Sequence, residues 1–82
     1  MNTNELFQII VSHTREVLPE LQDHPIQPED RLADLGANSV DRAEIIMMTM
    51  DTLSLRIPSV ELFGVNNIGE LAEVLYAKLQ TS

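Results

Sequence analysis

The chain has 82 residues, so we expect a single domain over residues 1–82, with room for one small core but not for the deep cleft of an enzyme. Apolar residues make up 44% and aromatic residues 4%, which predicts an aliphatic core. There is no cysteine, which excludes thiolate metal sites and favours a cytoplasmic location. The net charge of −8 argues against binding to nucleic acid or an anionic membrane and favours basic protein partners.

A first helix is predicted over residues 4–18, because apolar residues recur there at three- and four-residue spacing. Asn2 followed by Glu5 has the spacing of a helix cap, and Pro19 marks the end. Residues 19–38 form a long connection. Its own apolar residues should fasten it across the helices: Leu21, Ile26, Leu32 and Leu35.

Three further elements are predicted: a second helix over 39–55, a short helical turn over 59–63 and a last helix over 68–80. Asn67 and Glu70 repeat the cap spacing at the start of the last helix. The pattern predicts an all-α fold, a small four-helix bundle of three main helices and one short helix with a long first loop.

The second helix has more apolar residues than one face can bury. We expect Ala43, Ile46, Met50 and Leu53 to form the core stripe, with Met47 at its edge and Ile45 pointing away. Some of Ile45, Met47 and Met48 must therefore be covered by the long connection or belong to a docking face, and both can hold for different residues. On a docking face, adaptable methionines would lie beside carboxylates that attract basic partners.

Ser39 stands where this helix begins. Serine is favoured as an N-cap, which is the structural interpretation. Catalysis by Ser39 would need a nearby base, and His13 and His24, the only histidines, lie far away in sequence. A third interpretation is that Ser39 carries a phosphate group, which the amino end of a helix stabilises. Glu29, Asp30 and Asp34 lack the spacing of a calcium loop, and no metal site is predicted.

The segment LGANSVDRAEI, residues 35–45, resembles the phosphopantetheine attachment motif of acyl carrier proteins. The resemblance extends over nearly the whole chain, through Glu44, Met47, Ile57-Pro58 and the last helix. Asn38 and Val40 replace the usual Asp and Leu of the motif, and the lost charge at Asn38 bears on the choice of transferase.

The resemblance implies a carrier that is not itself an enzyme. A phosphopantetheinyl transferase would attach 4′-phosphopantetheine covalently to Ser39, and the thiol of this group would hold an acyl group as a thioester. The protein would act as a monomer and present a partner-binding surface around Ser39 and along the second helix: Asn38, Val40, Asp41, Glu44, Met47, Met48 and Asp51.

The strings DRAEIIMM and NNIGELAEVL are most similar to stand-alone carriers of polyketide assembly lines. In particular they resemble donor carriers of β-branching, which hold an acetyl unit made by decarboxylating malonyl. Such a carrier works with an acyltransferase, a decarboxylating ketosynthase and an HMG-CoA-synthase-like enzyme. The alternatives are a fatty-acid or peptidyl carrier, and a non-covalent helical adaptor that binds through the Met-rich face and uses Ser39 only as a cap.

Overall fold

A computed structural model describes residues 1–62 and 64–81, apart from the side chain of Ser59. It contains three α-helices: α1 (Thr3–Val17), α2 (Ser39–Thr52) and α3 (Ile68–Thr81). Two short 3₁₀ segments cover Pro19–Leu21 and Ser59–Leu62. No strand occurs in the described residues, and the all-α fold is confirmed. The predicted fourth helix is only a 3₁₀ segment, and Phe63 at its predicted end lies outside the described residues.

Side-chain caps set the starts of α1 and α3 as the spacing predicted. Asn2 Oδ1 accepts a hydrogen bond from the Glu5 N–H at 2.8 Å, and Asn67 Oδ1 accepts one from the Glu70 N–H at 2.8 Å. The end of α2 differs from the prediction, since the helix stops at Thr52 rather than at residue 55. Ser54 has a φ of +53°, a left-handed conformation that a right-handed helix cannot continue through.

The core lies between the three helices and is aliphatic, as the composition predicted. The buried residues of α1 and α3 follow the helical periodicity, with Leu6, Ile10 and Val11 on one helix and Ile68, Leu71 and Leu75 on the other. Thr14 is also fully buried, and its hydroxyl donates to the Ile10 carbonyl oxygen at 2.7 Å. The hydrogen bond within its own helix removes most of the cost of burying this polar side chain.

The rotation of α2 differs from the prediction. Ile45, expected to point away from the core, is 0% exposed, and Thr49 is buried with it. Ile46 is buried as predicted, but Ala43, Met50 and Leu53 are only partly buried. The Thr49 hydroxyl donates to the Ile45 carbonyl oxygen at 2.8 Å, so a polar side chain occupies the centre of the buried face without an unsatisfied group.

The long connection is fastened by its own apolar side chains. Leu21, Ile26 and Leu32 are buried and Leu35 is partly buried, which confirms the prediction. Backbone hydrogen bonds attach its middle to the start of α3, where the Ile68 N–H donates to Asp30 and the Gly69 N–H to Pro28. A Cβ on Gly69 would lie 3.1 Å from the Pro28 Cβ, so glycine permits this close approach.

These contacts fix where α2 begins. The first turns of α1 and α3 meet beside Pro28, whereas His13, in the second half of α1, contacts Thr52 at the end of α2. The connection therefore runs back along the bundle, so that α2 starts near the amino end of α3. Within the part of the chain that the structure describes, no helix is long and apolar enough to cross a membrane.

Candidate functional site

A tight turn leads the chain into α2. The Gly36 N–H donates to the Ala33 carbonyl oxygen and the Ala37 N–H to the Leu32 carbonyl oxygen, the two bonds that close a helical turn when a left-handed residue follows it. Gly36 supplies that residue with a φ of +101°. Ala37 is buried, and its carbonyl oxygen accepts a hydrogen bond from Arg42 Nη1 at 2.9 Å. Hydrogen bonds to earlier residues of the turn and to Arg42 of α2 thus fix the backbone just before Ser39.

Asn38, rather than Ser39, is the N-cap of α2, which corrects the structural interpretation of Ser39. Asn38 Oδ1 accepts from the Asp41 N–H at 2.8 Å, and Asp41 Oδ2 accepts from the Asn38 N–H at 3.2 Å. These reciprocal bonds form a complete capping box. Ser39 is the first residue of the helix, so its hydroxyl is not needed for capping.

Ser39 is exposed at this position. The first N–H groups of a helix have no partner within the helix, and the helix dipole favours negative charge beside them. An exposed hydroxyl at the first turn therefore fits the phosphate end of a phosphopantetheine group. The group would supply a thiol on a flexible arm, to which an acyl group can be attached as a thioester.

Both histidines lie at the opposite end of the bundle. His13 Nε2 lies 2.7 Å from Thr52 Oγ1 in the last turn of α2, which the helical rise places about 20 Å along the axis from Ser39. The carbonyl oxygen of His24 accepts from Arg15 Nη2 at 2.9 Å, which places His24 beside the same end of α1. Neither histidine is placed to act as a base for Ser39.

One face of α2 points into solvent and carries both apolar and acidic side chains. Val40 is 74% exposed and Met47 is 62% exposed, and Glu44 and Asp51 are exposed between and beyond them. The spacing of four, three and four residues places the four side chains on one side of the helix. We call Val40, Glu44, Met47 and Asp51 the α2 outer face.

The remaining residues of the expected partner surface border this face. Asn38 and Asp41 flank Ser39 but are engaged in the capping box. Met48 is half-buried and, with Met47 and Met50, lines a shallow hollow at the end of α2. The surplus apolar residues thus divide: Ile45 is in the core, Met47 is in solvent and Met48 lies between them.

Two arginines near Ser39 were not among the predicted site residues. Arg42 fixes the Ala37 carbonyl oxygen, and Arg31 lies with it beside a cavity at the start of α2. The available signal was compositional, since the chain has only five basic side chains and two of them are close to Ser39 in sequence, Arg31 shortly before the attachment motif and Arg42 within it. Among the described residues, no three His, Asp or Glu side chains come together as a metal site.

Comparison with known proteins agrees with this geometry. Residues 8–75 match the family described as the phosphopantetheine attachment site. Over its full length the chain is 56% identical to the whole of the polyketide biosynthesis acyl-carrier-protein AcpK of Bacillus subtilis (strain 168). It also resembles a chain in the crystal structure of the HMG synthase of the curacin biosynthetic pathway in complex with acetyl donor-ACP. The TM-score is 0.91 and the identity 53%, over 94% of this chain and 99% of that one. The chain therefore belongs to the phosphopantetheine-attachment family, as an acyl carrier protein.

Proposed function

We propose that this chain is a stand-alone carrier of polyketide biosynthesis that receives 4′-phosphopantetheine on Ser39 and delivers an acetyl unit to an HMG-synthase-type enzyme for β-branching. The observation that carries the proposal is the position of Ser39. Its hydroxyl is exposed at the first residue of α2, while Asn38 and Asp41 do the capping. The polyketide role of the Bacillus subtilis relative and the acetyl-donor role of the curacin-pathway protein support the pathway.

Attachment needs no base within this chain. A phosphopantetheinyl transferase would bring coenzyme A to Ser39, and the Ser39 oxygen would form a bond to the phosphorus that bears the pantetheine arm. The pyrophosphate bond of coenzyme A breaks, the nucleotide half leaves, and the transferase takes the hydroxyl proton. The distance of His13 and His24 from Ser39 is consistent with a base supplied by the transferase rather than by this chain.

Partner enzymes would recognise the α2 outer face together with Asn38, Asp41 and Met48 at its border. The exposed side chains of Met47 and Val40 offer apolar surface to a partner, and removing this surface from water on binding is favourable. The flexible Met47 side chain can adapt to the shape of the partner. Glu44 and Asp51 would attract basic side chains of the partner and set its approach. An acyltransferase and a decarboxylating ketosynthase would use the same surface when they load malonyl and convert it to acetyl.

The attachment site is tested by intact mass after co-expression with a broad-range phosphopantetheinyl transferase. We expect the native chain to gain one phosphopantetheine and Ser39→Ala to gain none. Ser12→Ala is the matched control, because Ser12 is also an exposed serine on a helix but lies in the middle of α1. Ser12→Ala should be modified fully. A modified Ser39→Ala variant would refute the site, and an unmodified native chain would favour the non-covalent adaptor.

The donor role is tested by loading the native carrier with acetyl and mixing it with the HMG synthase of the curacin pathway. We expect the acetyl group to move to the enzyme. A carrier that is modified on Ser39 but delivers no acetyl group would contradict the donor role and favour a fatty-acid or peptidyl carrier.

A further inference from the structure

The shallow hollow at the end of α2 carries charged as well as apolar side chains. We call it the methionine hollow, and its exposed or half-buried lining consists of six residues: Met47, Met48, Met50, Asp51, Ser54 and Arg56. The helical rise places Asp51 about 18 Å along the axis from Ser39. Met47 and Asp51 also belong to the α2 outer face, so the hollow continues that face beyond the end of the helix.

The turn that ends α2 fixes the position of Arg56. The Ser54 N–H donates to the Asp51 carbonyl oxygen at 3.1 Å, and the Leu55 N–H donates to the Met50 carbonyl oxygen at 2.9 Å. With Ser54 in a left-handed conformation, these are the two hydrogen bonds of a Schellman motif. Leu55 is buried in the core. Arg56, which follows it, therefore lines the hollow from a well-anchored stretch of backbone.

The hollow contains one acidic and one basic side chain that do not pair with each other. Asp51 and Arg56 both line it, yet neither forms an ion pair with a residue that the structure describes. Lys78, by contrast, pairs with Glu61 at 2.6 Å. The guanidinium group of Arg56 also makes no hydrogen bond to a described residue, so all of its N–H donors are available to a partner.

The charge changes sign along the exposed side of α2. Glu44 and Asp51 are exposed on the helix, and Arg56 is exposed just beyond its end. A partner surface that is basic throughout would be attracted by the two carboxylates and repelled by the arginine. The complementary surface is basic opposite the helix and acidic opposite its end. Such a surface satisfies all three charges and is distinguished from a uniformly basic one.

We propose that Arg56 binds a carboxylate on the docking surface of the HMG-synthase-type partner. The inference rests on the proposed function. A guanidinium group holds a carboxylate through two parallel hydrogen bonds, and the adaptable side chains of Met47 and Met48 pack against the partner beside that contact. Asp51 binds a basic side chain of the same partner. The change of sign orients the carrier on the enzyme and selects against partners whose docking surface is basic throughout.

The test measures acetyl transfer from the loaded carrier to the HMG synthase of the curacin pathway at low salt. Intact mass establishes loading on Ser39, and transfer from the native carrier establishes the donor role, so a failure of the proposed function is seen before any variant is compared. Arg56→Gln should slow transfer about threefold, the effect of losing one partly exposed ion pair. Arg56→Glu should slow it on the order of tenfold, because repulsion replaces attraction.

The direction of the change separates the two kinds of partner surface. Arg56→Glu makes an acidic docking face more acidic, so a uniformly basic partner would accept acetyl faster from this variant than from the native carrier. Slower transfer is expected only where a carboxylate faces Arg56. The matched control combines Gln8→Glu with Gln80→Glu, which changes the net charge by the same amount at exposed positions on α1 and α3. It should transfer acetyl near the native rate.

Urea denaturation checks that the variants are folded, as expected for an exposed position. Charge reversal on the enzyme then identifies the contact. Surface carboxylates of the synthase are replaced singly by lysine and assayed with the native carrier and with Arg56→Glu. One replacement should slow transfer from the native carrier and restore most of the rate with Arg56→Glu, which is the signature of a direct pair.

Three results would overturn the inference. Transfer from Arg56→Glu at the native rate or faster would show that no carboxylate of the partner faces this position. Equal slowing by Arg56→Glu and by the combined Gln8→Glu and Gln80→Glu variant would assign the effect to net charge. Slowing that no replacement on the enzyme relieves would show that Arg56 does not contact a carboxylate.

Discussion

Asn38 and Asp41 cap α2 through two reciprocal hydrogen bonds, in which each side chain accepts from the backbone N–H of the other residue. Ser39 lies between them in sequence. The arrangement leaves the Ser39 hydroxyl out of the capping of α2. Because the cap does not use the Ser39 hydroxyl, that hydroxyl can be modified without loosening the start of the helix.

We expect Asn38→Ala to lower the free energy of unfolding by about 1 kcal/mol, because the Asp41 N–H loses its acceptor. The same variant should be modified more slowly by a phosphopantetheinyl transferase, since the first turn of α2 frays around Ser39. Asn38→Asp keeps the acceptor and should unfold as the native protein does. Urea denaturation and the modification rate measure the two effects.

The matched control is Asn2→Ala, which removes the equivalent cap from α1. It should destabilise the protein by a similar amount and leave the modification rate of the folded protein unchanged. Equal slowing in both cap variants would mean that global stability, and not the local start of α2, governs modification.

Gly36→Ala should cost roughly 1–2 kcal/mol, because its φ of +101° is a conformation that a side chain disfavours. No atom lies within 4 Å of the added Cβ, so the cost comes from the backbone rather than from a clash. Gly64→Ala has equal space without the positive φ, and we expect a change of no more than about 1 kcal/mol. Similar denaturation midpoints for the two variants would show that the turn before Ser39 is not strained by a side chain.

The sequence predicted those features that local patterns determine. The caps at Asn2 and Asn67 follow from a spacing of three residues, and the buried residues of α1 and α3 follow from helical periodicity. The motif around Ser39, together with matching residues along nearly the whole chain, identified the family. These signals are spacings along the sequence, so no knowledge of tertiary packing was needed.

The rotation of α2 could not be predicted in this way. Four successive apolar residues from Ile45 to Met48 allow more than one buried stripe, and the polar Thr49 made the correct one look interrupted. The Thr49 hydroxyl donates a hydrogen bond to the Ile45 carbonyl oxygen, which lowers the cost of burying Thr49, but this bond forms only once the helix has folded. The meeting of Arg31 and Arg42 at one cavity likewise depends on the path of the long connection.

The charges of the α2 outer face should control the rate of partner binding. Glu44→Lys or Asp51→Lys should slow acetyl transfer to the HMG synthase on the order of tenfold at low salt, because each reverses a charge that we propose attracts a basic partner. The difference from the native protein should shrink as salt screens the charges. Both residues are exposed, so folding should be unaffected.

Glu73→Lys is the control for these charge reversals, since Glu73 is also exposed but lies on α3. It changes the net charge by the same amount and should leave transfer near the native rate. Equal slowing by all three variants would assign the effect to net charge and not to the α2 outer face.

Met47 distinguishes a docking role from a core role on the same helix. Its side chain is 62% exposed, whereas that of the preceding residue, Ile46, is 4% exposed. Ile46→Ala should therefore cost about 2–5 kcal/mol of unfolding free energy, the usual loss for a buried aliphatic side chain. Met47→Ala should cost less than about 1 kcal/mol, as expected for a surface position, while acetyl transfer to the HMG synthase falls. Chemical denaturation and the transfer assay, run on the same preparations, measure both quantities. A stable Met47→Ala variant that transfers acetyl at the native rate would remove Met47 from the docking surface and leave Val40, Glu44 and Asp51 to account for partner binding.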